Sequence, residues 1–82
     1  MPLYMDVHKN LKANAKDLAD AHKKDLAEQG KHGAEFLHYW YDEADGAVFC
    51  LSRAPNKEAH LATHRAAHGI MPDEIFEVNE GG

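Results

Sequence analysis

The alternation of apolar and polar residues predicts four short β-strands. Residues 3–8 (LYMDVH) place Leu3, Met5 and Val7 on one side of a strand, opposite more polar neighbours. An aromatic segment, AEFLHYWYD, and a second run, AVFCLS, flank an Asp-Gly turn signal and predict a hairpin. EIFEV, near the end of the chain, is the fourth strand. The predicted strands therefore cover residues 3–8, 34–42, 47–52 and 74–78.

Two segments have the spacing of amphipathic helices. Asn14 is suited to cap the first helix, with Asp17 three residues later as in a capping box, and Gly30 and Gly33 end it. Asn56 is suited to cap the second helix, residues 57–68. The inward face of the first helix is predicted from the positions that a period of 3.6 residues brings together, which are Leu11, Ala15, Leu18, His22 and Leu26.

The order of these elements predicts an α+β fold, the ferredoxin-like βαββαβ sandwich. Right-handed crossovers bring the strands into one four-stranded antiparallel sheet with both helices on one face. The other face is then bare, and we expect it to carry Tyr4 and Asp6 with aromatic residues of the second strand. An exposed aromatic face on a small protein favours a partner, most simply a second copy in a homodimer.

Size and charge exclude several classes of function. The 82 residues form one domain, residues 1–82, with a thin core. The net charge of −5 and the absence of a dense basic patch argue against nucleic-acid binding. No apolar run is long enough to span a membrane. The single cysteine, Cys50, excludes an internal disulfide and predicts a cytoplasmic protein.

The unusual feature is the number of histidines, seven in 82 residues. In the predicted topology the first strand ends where the second helix ends, so His8 meets His64 and His68 at one end of the fold. The latter two are four residues apart and lie on one ridge of their helix. Asp6, on the same face of its strand as His8, adds an oxygen ligand. We therefore predict a metal site that contains these four residues.

The remaining histidines are more ambiguous from the residues alone. His22 lies on the apolar stripe of the first helix. It is either a metal ligand or a core histidine that is hydrogen-bonded to Asp25 or to a backbone carbonyl. His38, between two aromatic residues of a strand, has the same two interpretations. His60 is one turn below His64, and a solvated side chain is the favoured interpretation.

Ligand chemistry restricts the metal without selecting one ion. Several imidazoles with a carboxylate or water suit nickel, copper, zinc or cobalt, that is Ni²⁺, Cu²⁺, Zn²⁺ or Co²⁺. Calcium and magnesium prefer oxygen ligands and fit poorly. Cys50 is predicted to lie away from the histidine end of the fold, in the core rather than among the ligands.

Four segments together resemble one family, in this order: YMDVHK, AHKKDL, HYWYDEADGAVFCLSRAP and HRAAHGIMPDEIFEV. They are similar to the small nickel-binding, ferredoxin-like proteins of bacteria, whose wider family is a domain of unknown function. The resemblance runs from Tyr4 to Val78. It implies a homodimer with bound nickel and no established catalysis. It also implies site roles for two residues of the wider family, His38 and His64, and three of the nickel-binding branch, His8, His22 and His68.

The sequence thus predicts a nickel-binding protein that acts in metal binding, buffering or sequestration. One alternative is a small dimeric enzyme with a cavity at the open sheet face, where His38 with Tyr39 or Tyr41 supplies acid-base groups. Another is a histidine-based dimerisation module or pH sensor that holds no metal.

Overall fold

The chain has the predicted order of strands and helices. The structure, a computed structural model, describes residues 1–82. Neither of its helices has the length and apolar character needed to cross a bilayer. The elements are β1 (Leu3–His8), α1 (Ala15–Glu28) with a 3-10 turn (Gln29–His32), β2 (Glu35–Asp42), β3 (Ala47–Arg53), α2 (Lys57–Ala67) and β4 (Glu74–Val78).

The sheet has the strand order β2-β3-β1-β4, and every neighbouring pair is antiparallel. This is the ferredoxin-like arrangement, and the α+β prediction is confirmed. Asp6 of β1 is paired with Cys50 of β3, and His8 is paired with Val48. Paired residues point to the same side of a sheet, so Asp6, His8 and Cys50 share the face that the helices cover.

The prediction for the open face is wrong in its choice of residues. Tyr4 and Asp6 are 5% and 0% exposed, and Asp6 is hydrogen-bonded to side chains of α2. The apolar members of β1, such as Met5, face the open side instead, where Phe76 and Trp40 are each 49% exposed. The predicted alternation is present with its two faces exchanged, because this strand turns its polar residues inward to an acidic and histidine-rich interior.

The second strand contains a bulge that matters for its side chains. The pairing of β2 with β3 shifts between Phe36 and His38. As a result Phe36 and Tyr39, three residues apart, both lie on the helix side, opposite Ser52 and Cys50 respectively. His38 is left on the open side.

Both predicted helix caps are present. The Asn14 side chain accepts from the Asp17 backbone N–H, and the Asp17 carboxylate accepts from the Asn14 backbone N–H. The Asn56 side chain accepts from the backbone N–H of Ala59. At the other end of α2, Gly69 has φ +77° and its N–H donates to the His64 carbonyl.

The inward face of α1 differs from the predicted stripe. Leu26 is 42% exposed, whereas its neighbour Asp25 is 2% exposed. Leu18, His22 and Asp25 follow the i, i+4, i+7 spacing and form the face that meets the rest of the protein. The inward face therefore keeps Leu18 and His22 but passes through Asp25 instead of Leu26, and this brings the Asp25 carboxylate to α2.

The interior is unusually polar. The buried apolar cluster has five members, three of them alanines, with Tyr4 and Phe36 as its large residues. The largest fully buried side chains of the chain are all polar, and they are His60, His64, Thr63, Asp6 and Ser52. A core of this kind depends on hydrogen bonds between its members, since an unpaired polar group in it is costly.

The cap of α2 should contribute measurably to stability, because this helix carries the two most deeply buried histidines, His60 and His64. We expect Asn56→Ala to lower the free energy of unfolding by about 1 kcal/mol, as other lost N-caps do. Urea denaturation followed by circular dichroism measures it. Asn79→Ala, at an exposed position that makes no side-chain hydrogen bond, is the matched control and should be neutral. Equal stability of the two variants would contradict the capping role.

Candidate metal centre

The Asp6 carboxylate is the centre of a buried hydrogen-bond network. Its Oδ2 accepts from Nε2 of His60 and from Nε2 of His64, each at 2.6 Å. Its Oδ1 accepts from the backbone N–H of Cys50 at 3.0 Å and lies 3.3 Å from Nε2 of His8. One side chain thus connects β1 with β3 and α2.

A second carboxylate, Asp25 of α1, extends the network. Its Oδ1 lies 2.8 Å from Nδ1 of His64 and 3.1 Å from Nε2 of His68. His64 therefore stands between two carboxylates, with a different ring nitrogen directed at each. Both nitrogens must carry a proton to donate to these acceptors, so the hydrogen-bond pattern requires an imidazolium.

The electrostatics of the site agree with this pattern. Burial alone would lower the pKa of His64, but hydrogen bonds to Asp25 and Asp6 outweigh it and raise the pKa to about 11. For His8, burial is likewise outweighed by the hydrogen bond to Asp6, and its pKa rises to about 9.

The pKa values of the two carboxylates change in the opposite direction. Burial would raise the pKa of Asp6, but hydrogen bonds from His60, His64 and His8 outweigh it and hold the pKa far below its ordinary value. The pKa of Asp25 is also lowered, because the hydrogen bonds from His64 and His68 outweigh burial. Two anions and two imidazolium cations leave the network neutral, as a buried set of charges requires.

The geometry brings together two groups of metal-ligating side chains. Asp6, His8, Cys50 and His64 form the first, and Asp25, His64 and His68 form the second. Within each group, one donor atom per residue lies within 4.8 Å of all the others. Donors at about 2.0–2.3 Å from one ion are themselves about 3–4.5 Å apart, so small side-chain adjustments suffice for coordination.

Chain routing was predicted well. The ring centroids of His8 and His64 are 5.4 Å apart, and those of His64 and His68 are 4.9 Å apart. Asp6 joins them from the same strand face as His8. Residues from the first strand and the second helix therefore meet at one place, as the topology indicated.

Two members of these groups were missed by the sequence reasoning. Cys50 was predicted to lie away from the histidines, but its pairing with Asp6 puts it on the same face of the sheet among them. The signal was available in the alternation of β3, once β1 is oriented with its polar side inward. Asp25 was hidden because Leu26 beside it is the more obvious core residue.

His60 is fully buried, contrary to the prediction of a solvated side chain. Its Nε2 donates to Asp6 and its Nδ1 lies 2.6 Å from Oγ of Ser52. Asp, His and Ser in contact are the residue types of a hydrolytic triad. Here all three are 0% exposed, so no substrate reaches the hydroxyl, and the contacts serve to hold the Asp6 carboxylate in place.

The structure separates the two remaining candidates. His22 is half-buried beside the network, with its ring 4.9 Å from that of Tyr39, and burial lowers its pKa. His38 is exposed on the open face, 6.0 Å from Trp40. Since Tyr39 and Tyr41 stack on each other on the helix side, neither shares a face with His38. The acid-base pairing of the enzyme alternative is therefore not formed within the chain.

A small cavity adjoins the network on the side of α1. Its volume is about 30 Å³, and its polar lining consists of side chains from both ligand groups together with His22 and Tyr39. This is room for about one water molecule. The polar lining residues are His8, His22, Tyr39, Asp25, Cys50, His64 and His68.

Comparison with known proteins agrees with this fold. The model of one family, described as nickel responsive protein SCO4226-like, matches residues 4–78. The crystal structure of SCO4226 from Streptomyces coelicolor A3(2) superposes with a TM-score of 0.89 at 36% sequence identity, covering 98% of this chain and 99% of that one. None of the curated proteins matches the chain significantly.

Without metal, the protein should become less stable in alkali. The pKa values of His8 and His64 rise from 6.5 to about 9 and about 11, so their stabilisation is complete below about pH 6.5 and is lost as the pH rises through those folded values. We expect the Tm in the presence of a chelator to be several degrees lower at pH 9.5 than at pH 6, because about 1 kcal/mol shifts Tm by about 4–8 °C in a domain of this size. The contribution of the two carboxylates, whose pKa values are lowered, is lost only on acidification below about pH 4.

Differential scanning calorimetry across this range measures the effect. His8→Gln removes one of the two groups, and its alkaline decrease in Tm should be smaller. A Tm that stays constant or rises between pH 6 and 9.5 would contradict the charge assignment.

Proposed function

We propose that this chain, which belongs to the SCO4226-like family of nickel responsive proteins, binds a divalent transition-metal ion, with nickel as the first choice. The proposed ligands are Asp6, His8, Cys50 and His64. The observation that carries the proposal is the convergence of these four donor atoms, from two strands and a helix, within 4.8 Å of one another.

The donor set supports a transition metal. Two imidazole nitrogens, one sulfur and one carboxylate oxygen suit Ni²⁺, Zn²⁺, Co²⁺ and Cu²⁺, whereas Ca²⁺ and Mg²⁺ prefer oxygen. The family description favours nickel within this set. Buffering or sequestration is the role that such a site fits best, since the ligands are buried and leave little space for a substrate.

The surrounding residues hold the ligands in position. The backbone N–H of Cys50 and the ring of His60 fix the Asp6 carboxylate. Asp25 orients the His64 ring through its second nitrogen. Partners of this kind keep ligands in place and typically strengthen metal binding.

Metal and protons compete for the same side chains. The nitrogens of His8 and His64 that face Asp6 carry protons in the metal-free protein, and each must lose its proton to become a ligand. A thiol ligand must also be reduced and lose its proton, which supports a cytoplasmic location as part of this proposal.

We further propose that the open sheet face joins two copies of the chain. Phe76, Met5 and Leu51 lie side by side across three strands of this face, and Trp40 is 49% exposed near them. Apolar surface of this kind favours burial against a self-complementary partner. The metal ligands lie on the opposite side of the sheet, so each copy has a complete ligand group.

Metal binding should depend on pH and on His8. We expect Ni²⁺ to bind at pH 7.5 and much more weakly near pH 5, because binding releases the protons of His8 and His64 and a higher proton concentration opposes that release. His8→Gln should weaken binding at pH 7.5 by at least about tenfold, the lower limit seen when even a supporting contact of a metal site is removed. Isothermal titration calorimetry measures both effects.

The control is His32→Gln, which removes a histidine outside both ligand groups. It should bind Ni²⁺ as the unmodified protein does. Equal affinity of the His8 and His32 variants, or no loss of binding at pH 5, would refute the proposed site.

The dimer should depend on the open face. We expect the protein to sediment at twice the mass of one chain, and Trp40→Glu to sediment as a monomer because a charge is costly in an apolar interface. Leu26→Glu places the same charge on an exposed apolar position of α1, 42% exposed, and should remain dimeric. Analytical ultracentrifugation decides, and a monomeric unmodified protein would exclude this part of the proposal.

A further inference from the structure

We propose that His64 binds two metal ions at once, one through each ring nitrogen, so that its imidazolate bridges a pair of ions. The first ion is the one proposed above, on which this inference rests. The second is held by Asp25 and His68 on the other side of the ring. The proposal defines a second metal position in the chain.

The two ligand groups share a single residue. Nε2 of His64 lies 2.6 Å from an oxygen of Asp6, and Nδ1 lies 2.8 Å from an oxygen of Asp25. The two nitrogens of an imidazole point in different directions within the ring plane, so the groups lie on separate sides of His64. Two positions are therefore present, because one ion cannot contact both nitrogens of the same ring.

The second position is already arranged for coordination. Nε2 of His68 lies 3.1 Å from the Asp25 oxygen, and the donor atoms of Asp25, His64 and His68 are within 4.8 Å of each other. Nδ1 of His68 accepts the backbone N–H of Ile70 at 3.0 Å, which directs Nε2 towards Asp25. A hydrogen bond from the distal ring nitrogen to the backbone is the usual way in which a histidine ligand is oriented.

The adjoining cavity has room for the fourth ligand, which the three protein side chains do not provide. It is lined by Asp25, His64 and His68 and also by His22, and its volume of about 30 Å³ accommodates one water molecule. A water molecule, or the ring of His22 after a side-chain rotation, completes four-fold coordination. The cavity is partly open, so it also gives this position a route from solvent.

Charge favours two ions in this buried place. Two divalent ions bring four positive charges, and four ligands become negative, namely the carboxylates of Asp6 and Asp25, the thiolate of Cys50 and the imidazolate of His64. The sum is zero, as burial requires. The two ions replace both N–H protons of His64, and His8 and Cys50 each lose one more, so four protons leave to solvent.

Cobalt allows the two positions to be distinguished. Co²⁺ bound by a thiolate gives a charge-transfer absorption that Co²⁺ bound only by nitrogen and oxygen lacks, so this band reports the first position. We expect equilibrium dialysis under anaerobic conditions at pH 7.5 to give two Co²⁺ per chain. In a titration, the thiolate band should saturate at one equivalent and shift when the second ion converts His64 to a bridge.

Three variants test the sharing of His64. His68→Gln should bind one Co²⁺, keep the thiolate band and show no shift. His64→Gln should lose the second ion completely and weaken the first, whereas His32→Gln should bind two. Circular dichroism of each variant shows that it is folded.

The outcomes separate the two proposals. One Co²⁺ per chain with a normal thiolate band, or two Co²⁺ retained in His68→Gln, would overturn the bridged pair and leave the first position standing. Absence of the thiolate band together with absence of bound Co²⁺ would overturn the proposed function itself, and the bridged pair with it.

Discussion

The structure depends on a carboxylate that is completely withdrawn from water. Asp6 accepts hydrogen bonds from two histidines of α2 and from the backbone of β3, and lies in contact with a third histidine on its own strand. A buried charge is tolerated only when it is paired and hydrogen-bonded, so these contacts determine how the helix sits on the sheet. Phe36 of the small apolar cluster packs against the same histidines. Its ring centroid lies 4.7 Å from that of His60 and 4.9 Å from that of His64. His60 and His64 thus make both the polar contacts with Asp6 and the apolar contacts with Phe36.

Under the proposed function, the same side chains hold protons in the metal-free protein and coordinate the ion in the metal-bound protein. In the metal-free protein, protonated histidines neutralise the carboxylates and hold the interior together. Coordination requires those protons to leave, and the ion then replaces them as the positive charge. Metal affinity and metal-free stability accordingly change in opposite directions as the pH rises above neutrality.

Much of the fold was predictable from the sequence, because strand alternation, capping residues and turn signals are local. The α2 cap at Asn56 and the bounds of β4 were predicted correctly, and the routing of His8 towards His64 followed from element order. The orientation of β1 was not predictable by the usual rule, since its polar side faces inward. Cys50 was predicted to lie away from the histidine end because of its position along the third strand, and its pairing with Asp6 is what brings it to the site. The burial of Asp25 in place of Leu26 follows from the same polar interior. Such residues are recognised only when their partners are known, and those partners are about 40–60 positions away in sequence.

The distance along the chain between Asp6 and His64, 58 positions, has a consequence for how the protein matures. A polypeptide emerging from the ribosome displays Asp6 and His8 long before α2 has been synthesised. During that interval neither of the two ligand groups is complete, since each of them includes His64. Under the proposed function, metal is therefore bound only after translation and folding are complete, because both ligand groups contain His64 of α2.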